Sequence, residues 1–278
     1  MKFDATKSDL FKLFRDTQLN PRLTNLKWIN RAFEGQSYNI IAAPPKSGST
    51  WITNVLANSL QCQVGRYCYA WSSNEHDIYV PALLANAHRR TISQLHMRAT
   101  PHNVQLIGDF KINMVIITRN VYDSIVSFAR DLMQKKDVNI KPIGVDGYSF
   151  VWLDNCKKDW GISEYIEYSI KYYLPWYVNF LSSWATYKDV VSGICVRYEK
   201  LREHPEEVFC EVIQKIDPSK QLHSSFNKNF ISSSRISGTN SETGSSLDIL
   251  TDDQRYKIES FFNDVESEWV QSHLVIPT

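Results

Sequence analysis

The chain has 278 residues, 43% of them hydrophobic and 22% charged, with a formal net charge of +1. That is enough apolar material for a sizeable core, and one domain over residues 1–278 is the expectation. The near-neutral balance supplies no basic field for nucleic acid, and with no stretch near about 18 apolar residues no membrane partner is expected either.

The five cysteines, Cys62, Cys68, Cys156, Cys195 and Cys210, are odd in number and lack zinc-site spacing. They read as free thiols in a reducing compartment. Residues 1–7 lack the apolar core of a signal peptide, so a cytoplasmic location is expected. The 8 tryptophans and 14 tyrosines supply core and the walls of a pocket for a flat ligand.

In chain order, residues 8–17 suit a short helix with Ser8 as N-cap, and 22–34 a second helix ended by Gly35. Tyr38 to Ala43 is an apolar run that reads as a buried strand, closed by Pro44-Pro45 because proline offers no N–H to a sheet. From Trp51 to Leu60 the residues Ile52, Val55, Leu56, Ser59 and Leu60 share a helical face. Residues 61–103 look irregular apart from a helix near 80–89 and a short strand over Thr91–His96. Ile112 to Thr118 is a second strong strand, ending at Arg119-Asn120 and followed by a helix around Asp123. Residues 134–160 read as a loop or lid, and 163–184 as a long helix interrupted at Pro175. A third strand over Gly193–Tyr198 precedes a helix over 205–216, a Ser/Asn/Gly-rich loop over 224–247, and a last helix. That helix starts near Thr251 with a capping box and carries Ile258, Phe261, Phe262 and Val265. Strands alternating with helices predict an α/β fold of three layers around a mainly parallel central sheet. In such sheets ligands bind beyond the carboxyl ends of the strands, so Lys46, Arg119 and Glu199 fall on one rim.

Between the first strand and its helix stand Lys46, Ser47, Gly48, Ser49, Thr50 and Trp51. A helix N-terminus with free N–H groups, a lysine and three hydroxyls suits phosphate or sulfate. The lysine precedes the glycine, so this is not a Walker A loop, and an ordinary strand-to-helix turn is the alternative.

Three stretches in this order resemble the sulfotransferases that use 3′-phosphoadenosine 5′-phosphosulfate (PAPS), over roughly residues 38–255. Pro45-Lys46-Ser47-Gly48-Ser49-Thr50-Trp51 is close to the family's P-K-[ST]-G-[ST]-[ST]-W loop. Arg119 to Ser127 is similar to R-N-P-x-D-x-x-x-S, with Val121 where the proline usually stands. Arg197-Tyr198-Glu199-Lys200-Leu201 is similar to the Y-E-D-[LM] segment, and Ser224-Ser225-Phe226 more weakly to T-S-F. The resemblance implies a P-loop-like phosphosulfate-binding strand–loop–helix, with Lys46 to Trp51 gripping the 5′ end. Arg119 and Ser127 would take the 3′-phosphate, and Tyr198, Ser224 and Phe226 would lie near the adenine. Arg235 and Gly238 stand in for a C-terminal phosphate loop whose tryptophan and lysine are absent, and the dimerisation motif of animal cytosolic members is not evident, which leaves the oligomeric state unassigned. The divergence points toward bacterial members.

The implied reaction is sulfuryl transfer from PAPS to a hydroxyl or amine, leaving adenosine 3′,5′-bisphosphate, with no metal expected. Lys46 would stabilise the leaving phosphate and His96 would act as general base, with His88 and His102 as rivals. Gln94 replaces the lysine of the family's K-T-H context. The acceptor is expected to be a small molecule, such as a bacterial natural product of the saxitoxin-like alkaloid kind. Trp71, Tyr79, Tyr148, Phe150 and Trp152 are candidates for stacking on it, and Glu75, Asp77 and Asp146 for pairing with a cation. Two alternatives stand beside this reading: a P-loop-like small-molecule kinase, and a catalytically idle nucleotide-binding relative.

Overall fold

A computed structural model describes residues 38–69, 75–135, 159–191, 193–224, 226 and 246–274. The helices expected over 8–17 and 22–34, most of the 134–160 loop, and Cys156, Arg235 and Gly238 lie outside these residues. The run from Tyr38 to Ala42 is buried at every position, as an unbroken apolar strand covered on both faces must be. It forms β1 (Tyr38–Ala42), the middle of the sheet. On its two sides lie β3 (Thr91–Leu95) and β4 (Asn113–Thr118), with Ile40 level with Ser93 and Met114. The short β2 (Gln63–Val64) pairs outside β3, and β5 (Gly193–Arg197) outside β4. The order is β2-β3-β1-β4-β5 and every described pairing is parallel.

Alternation along β1 and β4 divides the apolar residues between two cores. Tyr38, Ile40, Ala42, Met114 and Ile116 face the helices α4 (Val121–Lys135) and α5 (Ile162–Tyr187). Ile41, Val115 and Ile117 face α1 (Ser49–Leu60) and α7 (Pro205–Ile216). The other described helices are α2 (Val80–Ala85), α3 (Pro101–Asp109), α6 (Tyr198–Glu203), α8 (Ser246–Ile249), α9 (Asp252–Ser260) and α10 (Glu268–Gln271). A three-layer α/β architecture results.

Four local expectations change. The long helix runs through Pro175 without a break. Pro175 sits on the exposed side, where solvent can serve the carbonyl deprived of its donor, while Leu174, Trp176 and Tyr177 on the other side are buried. The described residues between 61 and 103 are more regular than they read: Gln63–Val64 is a strand, and Pro101 opens a helix as its first residue. Thr100 caps that helix by accepting from the Asn103 N–H at 3.2 Å. Tyr198 opens α6 instead of ending β5. The helix expected to be the last, α9, has the Thr251–Gln254 capping box but ends at Ser260, leaving Phe261 exposed, and α10 follows it.

The segment after α10 returns to the sheet rim. The Val121 N–H donates to the His273 carbonyl at 3.1 Å, and Arg197 Nη2 donates to that of Ser272 at 3.2 Å. A proline at position 121 would have no N–H to give, so the valine supplies this tie. His273 is 1% exposed, and burial, reinforced by the Arg197 charge, pushes its pKa from 6.5 down to about 4. Between these values the unfolded chain binds a proton that the native chain does not, so stability must fall as pH drops from about 6.5 to about 4 and level off below. We expect about 3 kcal/mol to be lost across this window in urea unfolding, on the scale of 1.36 kcal/mol per unit. His273→Gln should flatten that part of the pH profile; an unchanged slope would show that another group is responsible.

Candidate active site

The ends of β1 and β4 stand side by side, which brings two turns together. Lys46 lies in the turn after β1 with a φ of 65°, a left-handed conformation that costs a non-glycine residue about 1 kcal/mol. Its carbonyl accepts from Arg119 Nη1 at 2.5 Å, so the turn after β4 latches the turn after β1. Lys46 Nζ lies 2.9 Å from Asp131 Oδ1 on α4, with the two side chains only 18% and 11% exposed.

Gly48 follows at φ 71° as the N-cap of α1, and a Cβ there would stand 2.7 Å from Tyr198 Cε2. The tyrosine ring therefore lies directly against the glycine backbone, while Arg119 Cζ stacks 4.8 Å from the centre of the same ring. Ser49 is buried at the start of α1, and exposed Thr50 donates to Gln94 Oε1 at 3.3 Å. Trp51 is half-buried and meets Phe209 edge-on at 5.1 Å; Phe209 in turn meets Phe226 at 5.6 Å. Ser127 is half-buried on α4, one turn before Asp131, and Ser224 is exposed. Arg119, Tyr198 and the Lys46–Gly48 turn thus touch one another directly, and Trp51 and Phe226 share an aromatic cluster beside them.

Behind the turns, hydroxyls of α5 fix the backbone. Tyr177 OH donates to the Arg119 carbonyl, and the Arg119 N–H donates to the Tyr177 hydroxyl oxygen at 3.1 Å. Tyr173 OH reaches the Pro45 carbonyl at 3.4 Å and Ser124 Oγ at 3.2 Å. Burial pushes both phenols above the ordinary tyrosine range, so they remain neutral donors. Asn120 caps α4 by accepting from the Tyr122 N–H at 2.9 Å, and its own N–H donates to Glu199 Oε1 at 2.8 Å. Lys46, Arg119 and Glu199 therefore do share a rim.

His96 follows β3 on the other side of β1. Its Nδ1 lies 2.7 Å from the Ala43 carbonyl. A carbonyl only accepts, so Nδ1 holds the proton, and in the neutral ring Nε2 carries the lone pair. The rivals stand elsewhere: His88 follows α2, and His102 lies exposed on α3.

Three polar atoms at the turns, Ser47 Oγ, Arg119 Nε and Trp51 Nε1, are buried without a hydrogen-bond partner among the described residues. Orphaned donors of this kind cost free energy unless a ligand serves them. A hydroxyl, a guanidinium and an indole, set around the first turn of a 12-residue helix, fit an anion that carries an aromatic group.

A family model, the sulfotransferase domain, matches residues 37–219. The chain belongs to the sulfotransferase family. It is a PAPS-dependent sulfotransferase, and it transfers a sulfuryl group. No curated protein matches it. Among solved structures, mouse sulfotransferase SULT7A1 complexed with PAP matches with a TM-score of 0.55 at 11% identity, over 86% of this chain and 88% of that one. At that identity the likeness shows the fold. The kinase and idle-relative alternatives have no support beside the family match.

Several residues of this candidate site escaped the sequence reading. Asp131 was legible in principle, because it falls four residues after Ser127 on the same helix face. Tyr173 and Tyr177 share that spacing on α5. Nothing local in sequence marks His76, whose ring lies against His96 at 5.3 Å.

Gly48→Ala tests the close approach of Tyr198. Both the positive φ and the 2.7 Å contact oppose a methyl group, so a loss of about 2 kcal/mol is expected in thermal or urea unfolding. Adding Tyr198→Ala should relieve the contact but not the backbone cost. Wild-type stability in Gly48→Ala alone would show that the ring does not sit on the turn.

Proposed function

We propose that Lys46, Ser47, Gly48, Ser49, Thr50 and Trp51 hold the 5′-phosphosulfate of PAPS. In the same reading Arg119 and Ser127 hold its 3′-phosphate, Tyr198 and Phe226 flank the adenine with Ser224 at its edge, and His96 is the general base. Arg235 and Gly238 belong to this proposal from sequence alone. The single observation that carries it is the cluster of buried, unserved donors of Ser47, Arg119 and Trp51 around one left-handed turn.

Bound PAPS supplies an activated sulfuryl group. His96 Nε2 takes the proton of the acceptor hydroxyl or amine as the new bond to sulfur forms. The bond from sulfur to the 5′-phosphate oxygen breaks, and its electron pair stays on that oxygen. In this reading Lys46 and the N–H groups opening α1 stabilise the charge that develops there. Arg119 holds the Lys46 carbonyl, so one residue both anchors the adenosine end and shapes the turn at the reacting end.

For the acceptor, a small molecule with a hydroxyl or amine, two observations separate the options. Glu75 pairs with Arg98 at 2.9 Å and accepts from Trp176 Nε1, while Asp77 accepts from Asn103 Nδ2 at 2.9 Å. These carboxylates are engaged within the fold, which weakens the case for a cationic alkaloid of the saxitoxin-like kind. Tyr69 and Tyr79 are exposed and meet edge-on at 5.6 Å, with Tyr79 three residues beyond His76. An aromatic alcohol or phenol, from bacterial natural products or elsewhere, is the acceptor class we favour. Among the described residues no helix is long and apolar enough to cross a membrane.

Calorimetric titration with adenosine 3′,5′-bisphosphate should show Mg²⁺-independent binding and a preference over ATP–Mg²⁺. Arg119→Ala should weaken it about 10- to 100-fold, the range for hydrogen bonds to charged groups. Transfer of labelled sulfate to 2-naphthol, tryptamine, N-acetylglucosamine and a guanidinium alkaloid reads the acceptor class. Lys46→Ala should lower kcat by about 100-fold or more. His96→Ala should lower it by about 100-fold or more as well. Full turnover in His96→Ala would remove the base assignment, and wild-type bisphosphate affinity in Arg119→Ala would remove the 3′-phosphate assignment.

A further inference from the structure

His96 is held from two directions. The Ala43 carbonyl fixes its ring, as described above. Its backbone is fixed by His76, which is 3% exposed. The His96 N–H donates to His76 Nδ1 at 2.8 Å, and the His76 N–H donates to the His96 carbonyl at 2.9 Å. The two rings lie nearly parallel, 18° apart with centroids at 5.3 Å.

This geometry determines protonation. An amide N–H only donates, so His76 Nδ1 must present a lone pair, and the His76 proton sits on Nε2. A doubly protonated His76 would lose the bond to the His96 amide and place a positive charge against the His96 ring. His76 is therefore held neutral, in the tautomer opposite to that of His96. The clamp is itself braced. Ile78 N–H donates to Asn103 Oδ1 at 3.0 Å, Asn103 Nδ2 donates to Asp77 Oδ1 at 2.9 Å and to the Arg98 carbonyl at 3.0 Å, and Arg98 pairs with Glu75. Residues 75–78 thus run alongside 96–103 as a strap, with His76 at the end that meets the rim.

We propose that His76 is a positioning residue for sulfuryl transfer: its Nδ1 fixes the peptide of His96, and its neutral ring backs the His96 ring, so that Nε2 of His96 is directed at the acceptor. This rests on the reading of His96 as the base. The role explains why a polar ring is buried here: a phenylalanine would fill the same space but leave the His96 N–H unserved.

Two measurements on the full chain test it. Long-range ¹H–¹⁵N correlation spectra of the imidazoles read tautomers directly. The expected result is a proton on Nε2 of His76 and on Nδ1 of His96; the opposite tautomer at either ring overturns the proposal. The second is steady-state transfer from PAPS to 2-naphthol by two variants. His76→Asn keeps an acceptor near the Nδ1 position and should retain kcat within about threefold, whereas His76→Phe keeps only the ring and should lose kcat by about a hundredfold, the scale of an ångström-sized misplacement. KM for PAPS should stay unchanged in both, which a general loss of structure would not produce. Wild-type kcat in His76→Phe, or equal losses in both variants, refutes the positioning role. His96→Ala separates the two readings: if it keeps turnover, the base assignment fails and the His76 role falls with it; if it is inactive while His76→Phe is active, only the His76 role fails.

Discussion

The hydrogen bond from Arg119 to the Lys46 carbonyl is the constraint on which the rest of the site depends. A lysine at φ 65° does not hold that conformation by local preference. It needs a partner beyond its own turn, and the partner comes from the neighbouring strand. Because β1 and β4 are parallel and adjacent, their carboxyl ends deliver both turns to one place. The short reach from Arg119 to Lys46 is thus a consequence of strand order, and it couples the two ends of the proposed donor site without any element in between.

Strand order also separates the two proposed chemical tasks. β4 lies on one side of β1 and contributes Arg119; β3 lies on the other and contributes Gln94 and His96. The Ala43 carbonyl, just past β1, faces the β3 side and fixes His96, while the Lys46 carbonyl, three residues later, faces the β4 side and accepts from Arg119. One turn therefore sets the geometry of both neighbours. Tyr198, arriving from β5 beyond β4, closes the outer side by lying on Gly48, the residue whose missing side chain leaves room for it.

What was legible in sequence follows the range of the interactions. The strands of the core announce themselves because burial on both faces demands unbroken apolar runs, and the loop from Lys46 to Trp51 stands out through residue types at fixed spacing. The α/β layering and the family resemblance follow from those local signals. Gln63–Val64 did not announce itself, because two exposed residues become a strand only by pairing with β3. His76 was invisible for the same reason, since it meets His96 from 20 residues away, whereas Asp131 could be placed on the Ser127 face of its helix but its pairing with Lys46, 85 residues away, could not be read. Position 121 illustrates the opposite case. The sequence shows only a departure from the family pattern there, whereas the N–H that valine provides is bonded to the C-terminal segment.

Pro175 shows how a local rule and a tertiary requirement are reconciled. Had the helix broken there, Tyr173 and Tyr177 would not fall one turn apart, and their hydroxyls would not reach the Pro45 and Arg119 backbones together. Continuity of α5 is thus needed at the sheet rim, well away from the proline itself. The cost of proline is lowest where its ring and the unserved carbonyl face water, and Pro175 faces that way. On the opposite side Tyr173, Trp176, Tyr177 and Phe180 stack in succession, with centroids 5.5 to 6.3 Å apart. Aromatic packing of that extent, with buried rings worth roughly 0.5–1.5 kcal/mol per pair beyond their area, offsets one missing backbone bond. The same row of rings that carries the helix through its proline carries two phenols to the turns of the candidate site, so core packing and site geometry here are one set of contacts.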